Sequence, residues 1–92
     1  MPGPPAHEGL RAVTPDRDVD AVGLLCPLPV LRARKTLNAM ASAQILRIRT
    51  SDPVAVIDIP HFCAEAGHRL VSSQADGDTH VFVIERGQSK AD

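Results

Sequence analysis

Among the 92 residues, the stretch with the clearest chemical potential is Gly23-Leu24-Leu25-Cys26-Pro27-Leu28-Pro29-Val30. It places a cysteine where a short strand gives way to an amphipathic helix. Pro27 and Pro29 are tolerated in a first helical turn, whose N–H groups have no intrahelical partner to lose. Reading Cys26 as the N-cap leaves Leu28, Val30 and Leu31 as free donors pointing back at the sulfur, together with the positive end of the helix dipole. Both effects favour a thiolate and predict a lowered thiol pKa and a reactive nucleophile at neutral pH. A lone cysteine is more often a small buried hydrophobe. Against that, helix caps are usually Ser, Thr, Asp or Asn, so a cysteine in that place calls for another reason.

Little else in the chain offers chemistry. Cys63 follows Phe62 inside a second helical pattern and reads as a core residue. His61, Cys63, Glu65 and His68 match no common zinc spacing, and no metal site is expected. No Gly-rich phosphate loop, paired-carboxylate set or Ser-His-Asp arrangement is present. Asp52 and Asp58 read as a helix cap and a surface or capping carboxylate.

The elements that must position Cys26 follow from periodicity and punctuation. Residues 1–16, rich in Pro and Gly, read as a disordered leader. Residues 17–87 form one domain, and residues 88–92 a polar tail. Arg17 to Gly23 alternates as a strand. Pro27 to Ala41 carries Val30, Ala33, Leu37, Met40 and Ala41 on one helical stripe. Gln44 to Thr50 puts Leu46, Ile48 and Thr50 on one face and Arg47 and Arg49 on the other, the pattern of a sheet covered on one side. A second helix starts at Asp52-Pro53, with Pro60 either kinking it or splitting it and Gly67 as its C-terminal stop. Arg69 to Ala75 and Asp78 to Arg86 are strands joined at the tight-turn signal Asp76-Gly77. Val81-Phe82-Val83-Ile84 is apolar on both faces and predicts a central strand.

The order strand, helix, strand, helix, strand, strand predicts an α+β two-layer sandwich. Right-handed crossovers make the first three strands parallel, and the hairpin makes the fourth antiparallel. Two helices cover one face of this mixed four-stranded sheet. The carboxyl ends of the parallel strands then bring Cys26, Asp52-Pro53 and the Asp76-Gly77 turn to one edge, where such sheets usually carry their sites.

Composition narrows the function classes. Ten basic and eleven acidic side chains give a net charge of −1, without the basic excess that direct nucleic-acid binding wants. No apolar run is long enough to span a membrane. Two cysteines without Cys-x-x-Cys spacing make no disulfide framework, which fits a reducing, cytoplasmic setting. Arg32, Arg34 and Lys35 lie off or at the border of the first helix's apolar stripe. They form either a plain solvated face or a docking face for an acidic partner near the thiol.

Val22 to Val30 with Arg34-Lys35-Thr36, then Asp52-Pro53, Asp58-Ile59-Pro60 with Phe62-Cys63, His68 with Leu70-Val71, and Asp76-Gly77 resemble the TusA/SirA family of sulfur-carrier proteins. The match runs from about Val19 to Arg86, and its specificity comes from Cys-Pro-x-Pro together with the downstream blocks. The resemblance implies that the fourth strand lies between the second and third. It implies a sulfane sulfur held as a persulfide on Cys26, with no cofactor. The donor would be a cysteine desulfurase or a rhodanese-like protein, and the acceptor another relay protein. Pro27, Leu28, Pro29 and Val30 would form the thiol's immediate environment, and Arg32, Arg34, Lys35, Asp52, Pro53 and Asp58 the candidate partner surface. The family serves tRNA thiolation, molybdenum-cofactor maturation and sulfur oxidation. The chain departs from the family pattern at Leu28, often Glu, and at Leu25, often polar or basic. These give the thiol a more apolar collar and hint at a different partner. Two rivals stand beside this reading: a thiol redox or regulatory module, and a non-catalytic binding domain whose topology resembles the C-terminal domain of translation initiation factor three.

Overall fold

A computed structural model describes residues 14–88. The expected leader up to residue 13 and the tail from residue 89 lie outside the described residues. Asp16, assigned above to the leader, is tied to the sheet: its N–H donates to the Ile45 carbonyl at 2.7 Å, and its carboxylate accepts from the Ile45 N–H at 2.7 Å.

Six elements follow in the expected order: β1 (Arg17–Ala21), α1 (Leu28–Asn38), β2 (Ile45–Thr50), α2 (Ala55–Ala66), β3 (Arg69–Asp76) and β4 (Thr79–Glu85). The sheet order is β1-β2-β4-β3. β1 pairs parallel with β2, and β4 runs antiparallel to both β2 and β3. The mixed sheet and the central place of β4 are as expected.

The alternation in β2 sorts its two faces. Leu46, Ile48 and Thr50 are fully buried under the helices, joined by Phe82 and Ile84 of β4, Leu37 of α1 and Ile59 of α2. Each such side chain contributes roughly 1.5–3 kcal/mol by leaving water. The other face is polar, where Arg47 pairs with Asp18 on the neighbouring β1 and Arg49 reaches past β4 to Asp76 at the end of β3. These exposed pairs contribute less than about 1 kcal/mol each. Their larger effect is to keep that face from competing for a partner layer.

Three local expectations need correction. Helix α1 begins at Leu28, with Pro27 at the cap position (φ −99°, ψ 17°) and no side-chain cap, so Cys26 lies one residue outside the helix. It also ends at Asn38 instead of Ala41. The chain leaves early because Ala43, at φ 70°, donates its N–H to the Arg86 carbonyl (2.9 Å) and so joins the end of β4. Ala41 is therefore exposed, whereas Pro29 is buried. Helix α2 begins at Ala55, not Pro53, although the hydrogen-bonded turn that leads into it starts at Asp52, whose carbonyl accepts from the Ala55 N–H.

The alternatives at Pro60 resolve into one continuous helix, Ala55–Ala66, with the proline inside it. Its cost is one missing donor to the carbonyl four residues back, offset by the burial of Ile59, Phe62 and Cys63 on either side. Gly67 ends α2 in the left-handed conformation (φ 81°). The β3–β4 hairpin turns through Gly77-Asp78, one residue later than Asp76-Gly77, with Gly77 at φ 61°. At the opposite end Gly87 closes the domain, where an added Cβ would lie 1.8 Å from the Gly67 carbonyl oxygen. Its N–H donates to His68 Nδ1 at 2.9 Å. Burial, then Arg86 and Arg34, hold His68 below the ordinary histidine range and keep that nitrogen an acceptor.

Cys63 is a core residue, as its place in the helix suggested, with 2 % of its surface exposed. Burial raises its thiol pKa from 9.0 to about 11. The sign is that of an acid whose charged form is disfavoured by folding. The stability it carries is complete below pH 9 and lost as pH rises toward about 11. The loss should reach about 2–3 kcal/mol. Thermal melts across that window should show Cys63→Ala losing less stability with alkali than the unaltered chain, after a cost of ~1 kcal/mol at neutral pH. Equal alkaline slopes would show that Cys63 ionises as freely folded as unfolded.

Candidate functional site

Because β1 and β2 are parallel neighbours, the loops that leave them emerge side by side. Register carries this along the sheet edge, with Ala21 opposite Thr50, Thr50 opposite His80, and His80 opposite Ala75. The β1–α1 loop holds Cys26, and the β2–α2 loop holds Ser51 and Asp52. Two hydrogen bonds join them: Gly23 N–H donates to Ser51 Oγ at 2.8 Å, and Cys26 N–H to Asp52 Oδ2 at 2.6 Å. Asp52 is only 8 % exposed, and its second oxygen accepts from the Val54 N–H at 3.1 Å. One carboxylate thus holds the start of α2 and fixes the backbone of Cys26.

Cys26 is exposed and its thiol is free. Sγ donates to Asp58 Oδ2 at 3.0 Å from the first turn of α2. Sequence reasoning brought Asp52-Pro53 to the sheet edge of Cys26 and placed Asp52 and Asp58 on a candidate partner surface, but assigned neither a contact with the cysteine. Neither contact has a local signal, since the residues lie 32 and 26 positions from Cys26. The clue available was topological: adjacent parallel strands deliver the start of α2 to the cysteine loop.

These carboxylates reverse the expected electrostatics. Two of the three first-turn donors assigned to the sulfur are engaged elsewhere: Leu28 N–H bonds the Leu25 carbonyl (2.7 Å) and Leu31 N–H bonds the Pro27 carbonyl (3.1 Å). The hydrogen bond to Asp58 is the largest influence on the thiol, followed by desolvation and the negative charges of Asp58 and Asp52. Together they push its pKa above the ordinary value of 9.0. This arrangement favours a neutral thiol hydrogen-bonded to Asp58 over a preformed thiolate. The Cys26–Pro27 peptide is cis.

The other residues singled out fall into two groups. Leu28 is exposed, whereas Pro29 is buried and Val30 partly buried against the core, so those two anchor the loop instead of lining the sulfur. Arg32 and Lys35 are exposed and, with Leu24, Leu28 and Leu31, line a shallow groove of about 170 Å³. Arg34 points to α2, its guanidinium 4.9 Å from the centre of the Phe62 ring. Pro53 is exposed beside Asp52.

The histidines and acids considered for metal do not converge. His61 pairs with Glu65 on the exposed side of α2 at 3.4 Å, and His68 is bonded to Gly87. Among the described residues no three His, Cys, Asp or Glu side chains gather as a metal site would need, and no helix is long and apolar enough to cross a membrane.

Comparison with known proteins adds three findings. The family model described as "Sulfurtransferase TusA" matches residues 17–86. The sulfur carrier protein TusA of Allochromatium vinosum is 45% identical over 71 residues, covering 77% of this chain and 93% of that protein. The crystal structure of a SirA-like protein from Desulfitobacterium hafniense superposes with a TM-score of 0.69, covering 78% of this chain and 99% of the other. Its 22% identity speaks for the fold alone.

Proposed function

Since this chain belongs to the TusA sulfurtransferase family, we propose that it carries a sulfane sulfur as a persulfide on Cys26 and passes it from a donor protein to an acceptor protein. The single observation that supports this best is the exposed Cys26 thiol, bonded to Asp58, at the Cys-Pro-x-Pro position. Loading begins when Cys26 gives up its thiol proton, which is balanced by the thiolate that departs from the donor. The sulfur then attacks the terminal sulfur of the donor's persulfide. The donor's S–S bond breaks, its cysteine leaves as a thiolate, and an S–S bond forms at Cys26. The acceptor's thiolate repeats the exchange on the sulfur now carried by Cys26. One S–S bond is exchanged for another in each step, so no external oxidant, reductant or cofactor is required.

The donor is a cysteine desulfurase or a rhodanese-like protein, in a reducing, cytoplasmic setting. The acceptor decides whether the sulfur serves tRNA thiolation, molybdenum-cofactor maturation or sulfur oxidation. The redox-module reading is weaker because it needs a second accessible thiol, and Cys63 is buried in the core. The test is whole-protein mass spectrometry after incubation with a desulfurase and cysteine, or with a rhodanese and thiosulfate. One added sulfur atom at Cys26, removed by dithiothreitol, is the expected result. An adduct on Cys63, or none from either donor, overturns the proposal.

A further inference from the structure

Every large apolar side chain exposed among the described residues falls in residues 22–31 or 54–57, the two segments joined at Cys26. Leu25 (66 % exposed), Leu28 and Leu31 lie on the α1 side of the sulfur, and Val54, Val56 and Ile57 (72 % exposed) on the α2 side. A continuous apolar rim of this kind marks an interaction surface more often than a solvated one. Its charges are patterned. Arg32 and Lys35 stand at the α1 edge beside Leu28 and Leu31 and, among the described residues, have no ion-pair partner. Asp58 stands at the centre, bonded to the sulfur, and among the described residues it too has no cationic partner.

This polarity selects the occupant. An anionic lipid surface would be repelled by the central carboxylate, and a purely apolar partner would strand it. Resting on the carrier reading, we propose that this rim docks the sulfur-exchanging partner protein. That partner brings an apolar surface around its own reactive sulfur, a cationic side chain that pairs with Asp58, and carboxylates that meet Arg32 and Lys35. Docking then activates the thiol. While Asp58 stands alone it holds the proton on Cys26 and repels a thiolate. A partner's cation cancels that charge and weakens its hold on the proton, so the nucleophile forms only inside the complex. An unoccupied carrier is thereby protected from stray electrophiles.

The test compares two rates at neutral pH on the full chain: alkylation of Cys26 by iodoacetamide, and sulfur loading by whichever of the desulfurase or the rhodanese charges the unaltered protein. Asp58→Asn removes both the negative charge that disfavours the thiolate and the partner's ion pair. Alkylation should quicken while loading slows, so the ratio of loading to alkylation falls about tenfold or more. In the double variant Arg32→Gln/Lys35→Gln, loading should slow several-fold and lose part of its salt dependence. Rates of loading and alkylation that change in parallel in Asp58→Asn overturn the proposal, as does loading indifferent to the Arg32 and Lys35 changes. An unaltered chain that sediments as a dimer, and becomes monomeric on Leu28→Glu, assigns the rim to a second copy and overturns it too. If the unaltered chain is alkylated but charged by neither donor, the carrier reading itself fails.

Discussion

Cys26→Ser should abolish sulfur loading, lowering its rate by at least about a thousandfold, or ~4 kcal/mol of activation free energy. A hydroxyl in place of Sγ keeps the shape of the loop and can still donate to Asp58. It cannot form the sulfur–sulfur bond that defines the carried state, and its far weaker acidity leaves almost no anion to attack. The fold should be unaffected, because the side chain is exposed and packs nothing. A stability change within ~0.5 kcal/mol is expected. Cys63→Ala is the matching control and should still be charged, since the buried thiol takes no part. Mass spectrometry of both variants after the same donor treatment decides the matter. A sulfur adduct retained in Cys26→Ser would move the chemistry to Cys63 and remove the basis of the proposed function.

Asp52→Ala should cause a large combined loss in stability and function. Its two oxygens accept from Cys26 N–H at 2.6 Å and Val54 N–H at 3.1 Å. Truncation leaves a partly buried donor on each side of the loop junction and removes the side chain that holds the first turn of α2. Hydrogen bonds to a charged group contribute ~1.5–3 kcal/mol each, the lower end applying to these partly buried donors. A loss of about 2–4 kcal/mol follows, a large share of the roughly 5–15 kcal/mol that holds a domain together. Urea unfolding should show a lower midpoint with an unchanged slope. Loading should fall as well, because the Cys26 backbone loses a fixed point. Asp52→Asn retains one acceptor oxygen and should recover part of both losses. An Asp52→Ala protein as stable and as readily charged as its parent would show that the junction is held by something other than this carboxylate.

The architecture was legible because it rests on periodicity. The alternation of Leu46, Ile48 and Thr50 against Arg47 and Arg49 assigned the faces of β2. The doubly apolar run at Val81–Ile84 marked β4 as internal, and Gly67 marked the end of α2. The environment of Cys26 was not legible, because local rules describe what a residue does to its neighbours in sequence. By those rules Cys-Pro-Leu-Pro opens a helix and predicts a stabilised anion. In the structure the helix starts one residue later, at Leu28, with Pro27 between it and the cysteine, and the nearest charges come from another crossover. Asp52 shows the same division. The cap expected of it is instead a bond to the Val54 N–H just ahead of α2, whose N-cap is Val54, whereas its bond to Cys26 joins two loops that only the parallel strands bring together. Pro60 left one helix and two as alternatives for the complementary reason, and the structure has one. A proline that splits an isolated helix is tolerated where flanking residues are already packed against a sheet.

β1 has only five residues, occupies the edge of the sheet and is paired solely with β2. The segment bearing the sulfur is an extension of that strand. Amide hydrogen exchange in proteins reports openings smaller than global unfolding, and peripheral strands are among the first to open. The cysteine loop therefore inherits the protection of the sheet's border, not that of the β2–β4–β3 centre. What holds the sulfur when β1 frays is its second set of ties, to Ser51, Asp52 and Asp58, which belong to the β2–α2 crossover and not to β1.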